Sequence, residues 1–188
     1  MPNHVDCELI VIGTKAKVLQ FKEFAEGKDM LIDCDKFIPY PKEYKEQDLK
    51  CCELNDKRAT LVKVLEKEGK TRHEAWPIAA KEFPVGTDGF NSGGYEWCIE
   101  NWGTKWGIYD CSLTSEHEYK GEVTIEYAFQ CAWSPCFPVI LAMGDKFRDM
   151  TFEFRYFECG AGFNGLYIVK HGTLGSDRQG EYFGHRGG

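Results

Sequence analysis

The run Gly121–Ala132 constrains this chain more than any other segment. Val123, Ile125, Tyr127, Phe129 and Cys131 alternate with Thr124, Glu126, Ala128 and Gln130. Period-two alternation of this length predicts a strand with one apolar and one polar face. Such a strand needs a sheet to pair in and a layer of helices to cover its apolar side.

The flanking segments supply both. Glu8-Leu9-Ile10-Val11-Ile12 reads as a buried strand ending at Gly13. Thr14 is placed to cap a helix carrying Val18, Phe21, Phe24 and Ala25, stopped by Gly27. Met30 to Ile38 is expected to be a second strand, closed by Pro39-Tyr40-Pro41. From Lys42 to about Phe90 the pattern turns helical: Leu61, Val62 and Leu65 form a stripe ending at Gly69. Thr71-Arg72-His73-Glu74 is a capping box for a further helix, which Pro77 should kink or delay. Ser92 is expected to cap a short helix through Tyr95, Cys98, Ile99 and Trp102, and Ile108–Leu113 is strand-like. After the best strand, Phe137, Ile140, Leu141, Gly144 and Phe147 predict a helix, with Pro135 and Pro138 tolerated at its start. Met150–Phe157 and Phe163–Val169 follow as strands, with Glu158-Cys159-Gly160-Ala161-Gly162 as the hairpin turn between them. This order predicts an α+β, ferredoxin-like split βαβ sandwich: an antiparallel sheet with helices on one face and a helical insertion after the second strand. One domain is expected over 1–174, with the insertion at about 42–90 and a frayed, polar, Gly-rich tail over 175–188.

With 188 residues, of which 13 are Phe, 9 Tyr and 5 Trp, the chain can bury a core and is not of disordered composition. No apolar run reaches the roughly 18–20 residues of a membrane span. Met1–Asp6 lacks the basic and apolar regions of a secretory signal, so a cytoplasmic protein is expected. The net charge of −7 argues against binding through nucleic-acid phosphates or anionic lipid. The densest cationic stretch, Lys42–Lys50, is interleaved with Glu43, Glu46 and Asp48. The nine cysteines show no C-x-x-C spacing and the histidines are scattered. Reduced thiols acting as small buried hydrophobes are expected, with no metal and no cofactor.

Two segments stand out chemically. Trp97–Trp106 holds three Trp with Glu100, Asn101, Thr104 and Lys105 among them, and Cys131–Pro135 brings Trp133 and Ser134 to the start of a helix. Together they could build an aromatic-walled pocket with Lys105 as the cation and Glu100 or Glu158 as a base. The same residues also admit a purely structural reading: Trp102, Trp106 and Trp133 as core, with Asn101 and Thr104 bridging helix and strand around Gly103.

The run Tyr95-Glu96-Trp97-Cys98-Ile99-Glu100-Asn101-Trp102-Gly103-Thr104-Lys105-Trp106 resembles the signature of the YubB ferredoxin-like family, plasmid- and phage-encoded proteins of unknown function. Phe129-Gln130-Cys131-Ala132-Trp133-Ser134-Pro135 resembles that family's aromatic–Ser–Pro block. Phe37–Pro41 and Glu158–Phe163 are similar to two lesser blocks in the same order, as is Asn3-His4. The likeness runs from about Pro2 to Leu174. Cys131 stands where the family pattern suggests Thr, and Cys136 where it suggests Pro. The resemblance implies the fold and a mobile-element context, and it carries no catalytic residues.

Three functions are therefore open. The first is a non-enzymatic accessory protein binding a host or element-encoded protein through Asn101–Trp106, Trp133, Ser134 and Glu158. The second is an enzyme or small-ligand binder using the same residues, and the third, disfavoured by charge, is nucleic-acid binding.

Overall fold

The computed structural model describes residues 3–181, and its sheet is organised around one strand. That strand, β1 (His4–Thr14), pairs antiparallel with β3 (Glu122–Ala132) on one side and β4 (Thr151–Glu158) on the other. β2 (Tyr109–Tyr119) continues the sheet beyond β3, while β5 (Phe163–Lys170) and β6 (Thr173–Glu181) extend it beyond β4. The order is β2-β3-β1-β4-β5-β6. Every pairing is antiparallel.

Alternation decides which face is covered. Val5, Cys7, Leu9 and Val11 of β1, Val123–Cys131 at every second position of β3, and Phe152, Phe154 and Tyr156 of β4 are all buried. Val18, Phe21 and Ala25 of α1 (Lys15–Ala25) and Val139, Ile140 and Met143 of α6 (Phe137–Lys146) are buried as well. Phe21 is the hub of this core. Its ring lies 5.4 Å from Phe147, 5.5 Å from Phe152, 6.1 Å from Phe37 and 6.4 Å from Tyr127. The opposite sheet face carries Asp6, Glu8, Glu126, Glu153 and Arg155 around Ile10 and Ile12.

Read in chain order, β1-α1-β2-β3-α6-β4 is the split βαβ frame. The expected second strand over Met30–Ile38 is absent. Asp33 accepts a hydrogen bond from Asp35 N at 3.0 Å and caps a single helical turn, α2 (Cys34–Phe37). This local side-chain bond outcompetes a strand ladder. The second strand of the frame is β2, so the inserted helices follow α1 and α2, ahead of that strand. The tail differs too: Thr173–Glu181 is strand β6, paired with β5 rather than frayed. Expectations for residues 182–188 lie outside the described residues.

Tyr40–Tyr95 form a separate compact unit. There α3 (Lys42–Lys67) buries Val62 and Leu65 against Ala75 and Ala79 of α4 (Arg72–Glu82). The capping box at Thr71–Glu74 is present, and α4 starts there and continues through Pro77 rather than being delayed. The Thr71 N–H and hydroxyl, both on the Glu74 carboxylate, hold that group below its ordinary range. Its contribution is therefore present above the unfolded-state pKa and fades as pH falls through the folded-state value. Ser92 caps nothing. Its hydroxyl donates to Asp88 O, and α5 (Gly94–Trp102) starts after the 3-10 turn Phe90–Ser92. Thr14 holds the N-cap position of α1 without a side-chain bond.

Removing the Phe21 ring empties the centre of the helix-sheet interface. Phe21→Ala is expected to lower stability by about 3–5 kcal/mol, read by chemical denaturation. A loss under about 1 kcal/mol would place the core elsewhere.

Candidate functional site

Gly103 ends α5 with φ +75, a conformation open to glycine, and a Cβ there would come within 2.7 Å of Pro138 Cδ. The turn carries Thr104 back to the end of β3. Thr104 is fully buried: its Oγ1 donates to Ala132 O at 2.9 Å and accepts from Ala132 N at 3.1 Å. Lys105 N donates to the same carbonyl at 3.2 Å, and the Ser134 hydroxyl donates to Gly103 O at 2.6 Å. These bonds fasten Gly103–Lys105 to the β3–α6 junction.

Of the remaining polar candidates, Asn101, Trp102 and Glu158 are also engaged with backbone. Asn101 Nδ2 donates to Trp97 O at 2.9 Å within α5. Trp102 is buried, its Nε1 donating to Ile38 O at 2.8 Å and its ring edge-on to Trp97 at 5.3 Å. Glu158, only 2% exposed, accepts from Gly160 N at 2.9 Å and from Ala161 N, which shapes the β4–β5 turn. Glu100 is exposed on α5. The structure thus gives Thr104, Ser134, Asn101, Trp102 and Glu158 structural work.

Lys105, Trp106 and Trp133 are arranged differently. Lys105 Nζ lies 4.4 Å from the Trp133 ring centroid and 5.0 Å from that of Trp106, a cation held by two indoles. Trp106 packs on Tyr109 at 6.1 Å, and Tyr109 meets the His4 ring edge-on at 5.8 Å. Trp133 is 44% exposed and has φ +71, left-handed for a bulky side chain. Its backbone N–H donates to Asn3 O at 2.9 Å. The three side chains form one aromatic and cationic platform.

A cleft of about 730 Å³ is lined by Asn3, His4, Asp6, Gln130, Glu158, Cys159 and Gly160. His4 Nδ1 and the Tyr109 hydroxyl are 2.6 Å apart, and Gln130 Nε2 donates to Asp6 Oδ1 at 2.9 Å. Burial, followed by negative neighbours, pushes the Tyr109 hydroxyl up to about 12. Sequence reasoning missed His4, Asp6, Tyr109 and Gln130. Alternation could have turned Asp6 and Gln130 to one face, but nothing local joins His4 to Tyr109. Lys105 does not line this cleft, so the cation and Glu158 carboxylate of the pocket reading do not converge in it.

Among the described residues, no three or more His, Cys, Asp or Glu are arranged to hold a metal ion. Cys131 is fully buried and points into the core, away from any surface ligand. Burial raises its thiol, but hydrogen bonds from Cys136 and Cys7 outweigh that effect and lower it overall. Cys7 and Cys136 are raised. Cys52 and Cys159 are exposed rather than buried hydrophobes. No helix among the described residues is long and apolar enough to cross a membrane.

These features define a ferredoxin-like α+β domain with a Trp–Lys–Trp platform in which Trp133 is exposed and Lys105 and Trp106 are half-buried. Residues 105–184 match the family described as the ferredoxin-like domain in Api92-like protein. The fold is similar to that of protein api92 from Yersinia pseudotuberculosis, whose crystal structure aligns with a TM-score of 0.53 at 8% identity. That alignment covers 98% of this chain and 99% of that one. No curated protein matches.

If Thr104 is a fastener, its hydroxyl should matter and its methyl should not. Thr104→Val is expected to lose about 1–3 kcal/mol, because Ala132 N–H is left without that partner in the interior. Thr104→Ser should lose under about 1 kcal/mol, the value of one methyl group. Equal losses in denaturant titrations would assign Thr104 to packing alone.

Proposed function

We propose that this chain is a non-enzymatic protein-interaction module that grips its partner through Lys105, Trp106 and Trp133. The observation that carries this reading is Trp133, a large indole left 44% exposed in a left-handed conformation. A residue with a Cβ pays roughly 1–2 kcal/mol for that geometry. Strain of this kind concentrates at functional positions. Trp is the residue type most enriched at binding hot spots, and a pre-positioned indole needs little ordering on contact. Three of the polar groups an enzyme could use are occupied instead: Thr104, Ser134 and Glu158 all bond to backbone.

The partner is a host or element-encoded protein, and the setting is a cytoplasmic accessory role on a plasmid or phage. That setting rests on the likeness of the Tyr95–Trp106 and Phe129–Pro135 blocks to the YubB family, and the match of residues 105–184 to the Api92-like domain is compatible with it. Nucleic acid is a poor alternative, because the opposite sheet face presents Asp6, Glu8, Glu126 and Glu153 against Arg155 to any phosphate. A small polar ligand in the Asn3–Gly160 cleft is the second reading, favoured by the convergence of His4, Asp6 and Gln130 there.

Trp133→Gly separates function from folding, since glycine adopts φ +71 without strain. The relieved strain offsets part of the lost indole packing, so the variant should stay folded and melt cooperatively. In co-purification from cells carrying the gene, a specific partner should be depleted on the order of thirtyfold, as expected for a hot-spot residue contributing about 2 kcal/mol. Lys105→Ala should weaken the same partner. A partner retained by both variants would remove the platform from the interface.

A further inference from the structure

The helical unit carries a second surface, independent of the platform reading. Glu53, Asp56, Lys57, Thr60, Leu61 and Val64 recur at three- and four-residue spacing, which places them along one face of α3. With Ile78, Glu82 and Phe83 from the α4 side they line an open groove of about 810 Å³. The buried contact between the two helices uses a neighbouring stripe, Val62 and Leu65 against Ala75 and Ala79. The groove is therefore apolar surface left over after the helix pair has packed, and Val64 and Ile78 are each 45% exposed in it.

Its two ends differ. Arg58 Nε donates to Phe83 O at 2.6 Å, which fixes the C-terminal end of α4 beside the middle of α3. Glu82 thus sits at the level of Asp56 and Lys57, and Glu53 lies one turn further along. At that end Glu53, Asp56 and Glu82 outnumber Lys57 and Arg58 and lie beside Phe83, while Leu61, Val64 and Ile78 make the other end apolar. The stripe from Glu53 to Val64 spans about 16 Å at 1.5 Å per residue, three turns of helix. A furrow between two packed helices accepts the ridge of a third.

We propose that this groove docks an amphipathic helix of a partner protein, about three turns long. Apolar residues at i, i+3, i+4 and i+7 lie on Leu61, Val64 and Ile78, and Lys or Arg at one end faces Glu53, Asp56 and Glu82. Shape selects a helix, and the charge gradient selects a basic end and fixes its direction.

Two fluorescein-labelled helical peptides of about twelve residues test this against the full chain by anisotropy. Both carry Leu at i, i+3, i+4 and i+7; one ends in Lys and the other in Glu. The Lys-ended peptide should bind, more tightly as salt is lowered, and the Glu-ended one on the order of tenfold more weakly. Val64→Glu and Ile78→Glu, both at exposed positions, should reduce binding on the order of tenfold while circular dichroism and melting temperature hold. Equal affinity for the two peptides, no binding by either, or binding indifferent to both substitutions would overturn the proposal. Concentration-dependent self-association abolished by Val64→Glu would overturn it too, by giving the groove to a second copy. Trp133→Gly should leave peptide binding unchanged, so failure here and failure of the platform reading are separable.

Discussion

The two-way hydrogen bond between Thr104 and Ala132 holds the surface chemistry of this protein together. One hydroxyl, fully buried, satisfies both the N–H and the C=O of the last residue of β3. That carbonyl also receives the Lys105 N–H. The chain leaving α5 and the chain leaving β3 are thereby locked side by side, and the residue following each anchor is delivered to one place. Lys105 and Trp106 come from one segment and Trp133 from the other. Without the lock, the cation and the two indoles would belong to separate loops, each paying its own ordering entropy on binding.

The fold explains why this junction is at the surface. β3 sits next to the central strand and is buried along its helix-facing side up to Cys131 and Ala132. Past Ala132 the chain must leave the sheet to start α6, and Trp133 makes that exit in a left-handed conformation. Cys136 at the N-cap of α6 and Cys7 on β1 fill the interior beneath the turn with small polarizable groups. A rigid base of this kind lets an exposed indole keep one orientation, and an indole with one orientation is a better recognition element than a mobile one.

Legibility in the sequence followed the range of the interactions. β3 was readable because its alternation is a local consequence of lying half-buried in a sheet, and α4 because its capping box closes within three residues. Met30–Ile38 looked like a strand from its apolar content, yet Asp33 turns the backbone into a helical turn, and Ile32 ahead of it and Cys34 within it are buried. β6 was invisible because Thr173-Leu174-Gly175-Ser176-Asp177 has no apolar alternation. It is a polar edge strand that exists through its pairing with β5. The residues of the candidate site were recognisable as unusual, but their roles were not. Thr104 finds its partner 28 residues away and His4 finds Tyr109 at a separation of 105, distances over which sequence alone fixes no register.

Residue-resolved amide hydrogen exchange in wild type and Thr104→Val tests the lock most directly. Slow exchange is predicted at Ala132 and Lys105 in the wild type, accelerating together in the variant while the β4–β5 amides stay protected. Ala132 and Lys105 exchanging at loop rates in the wild type, or remaining slow without the hydroxyl, would contradict it.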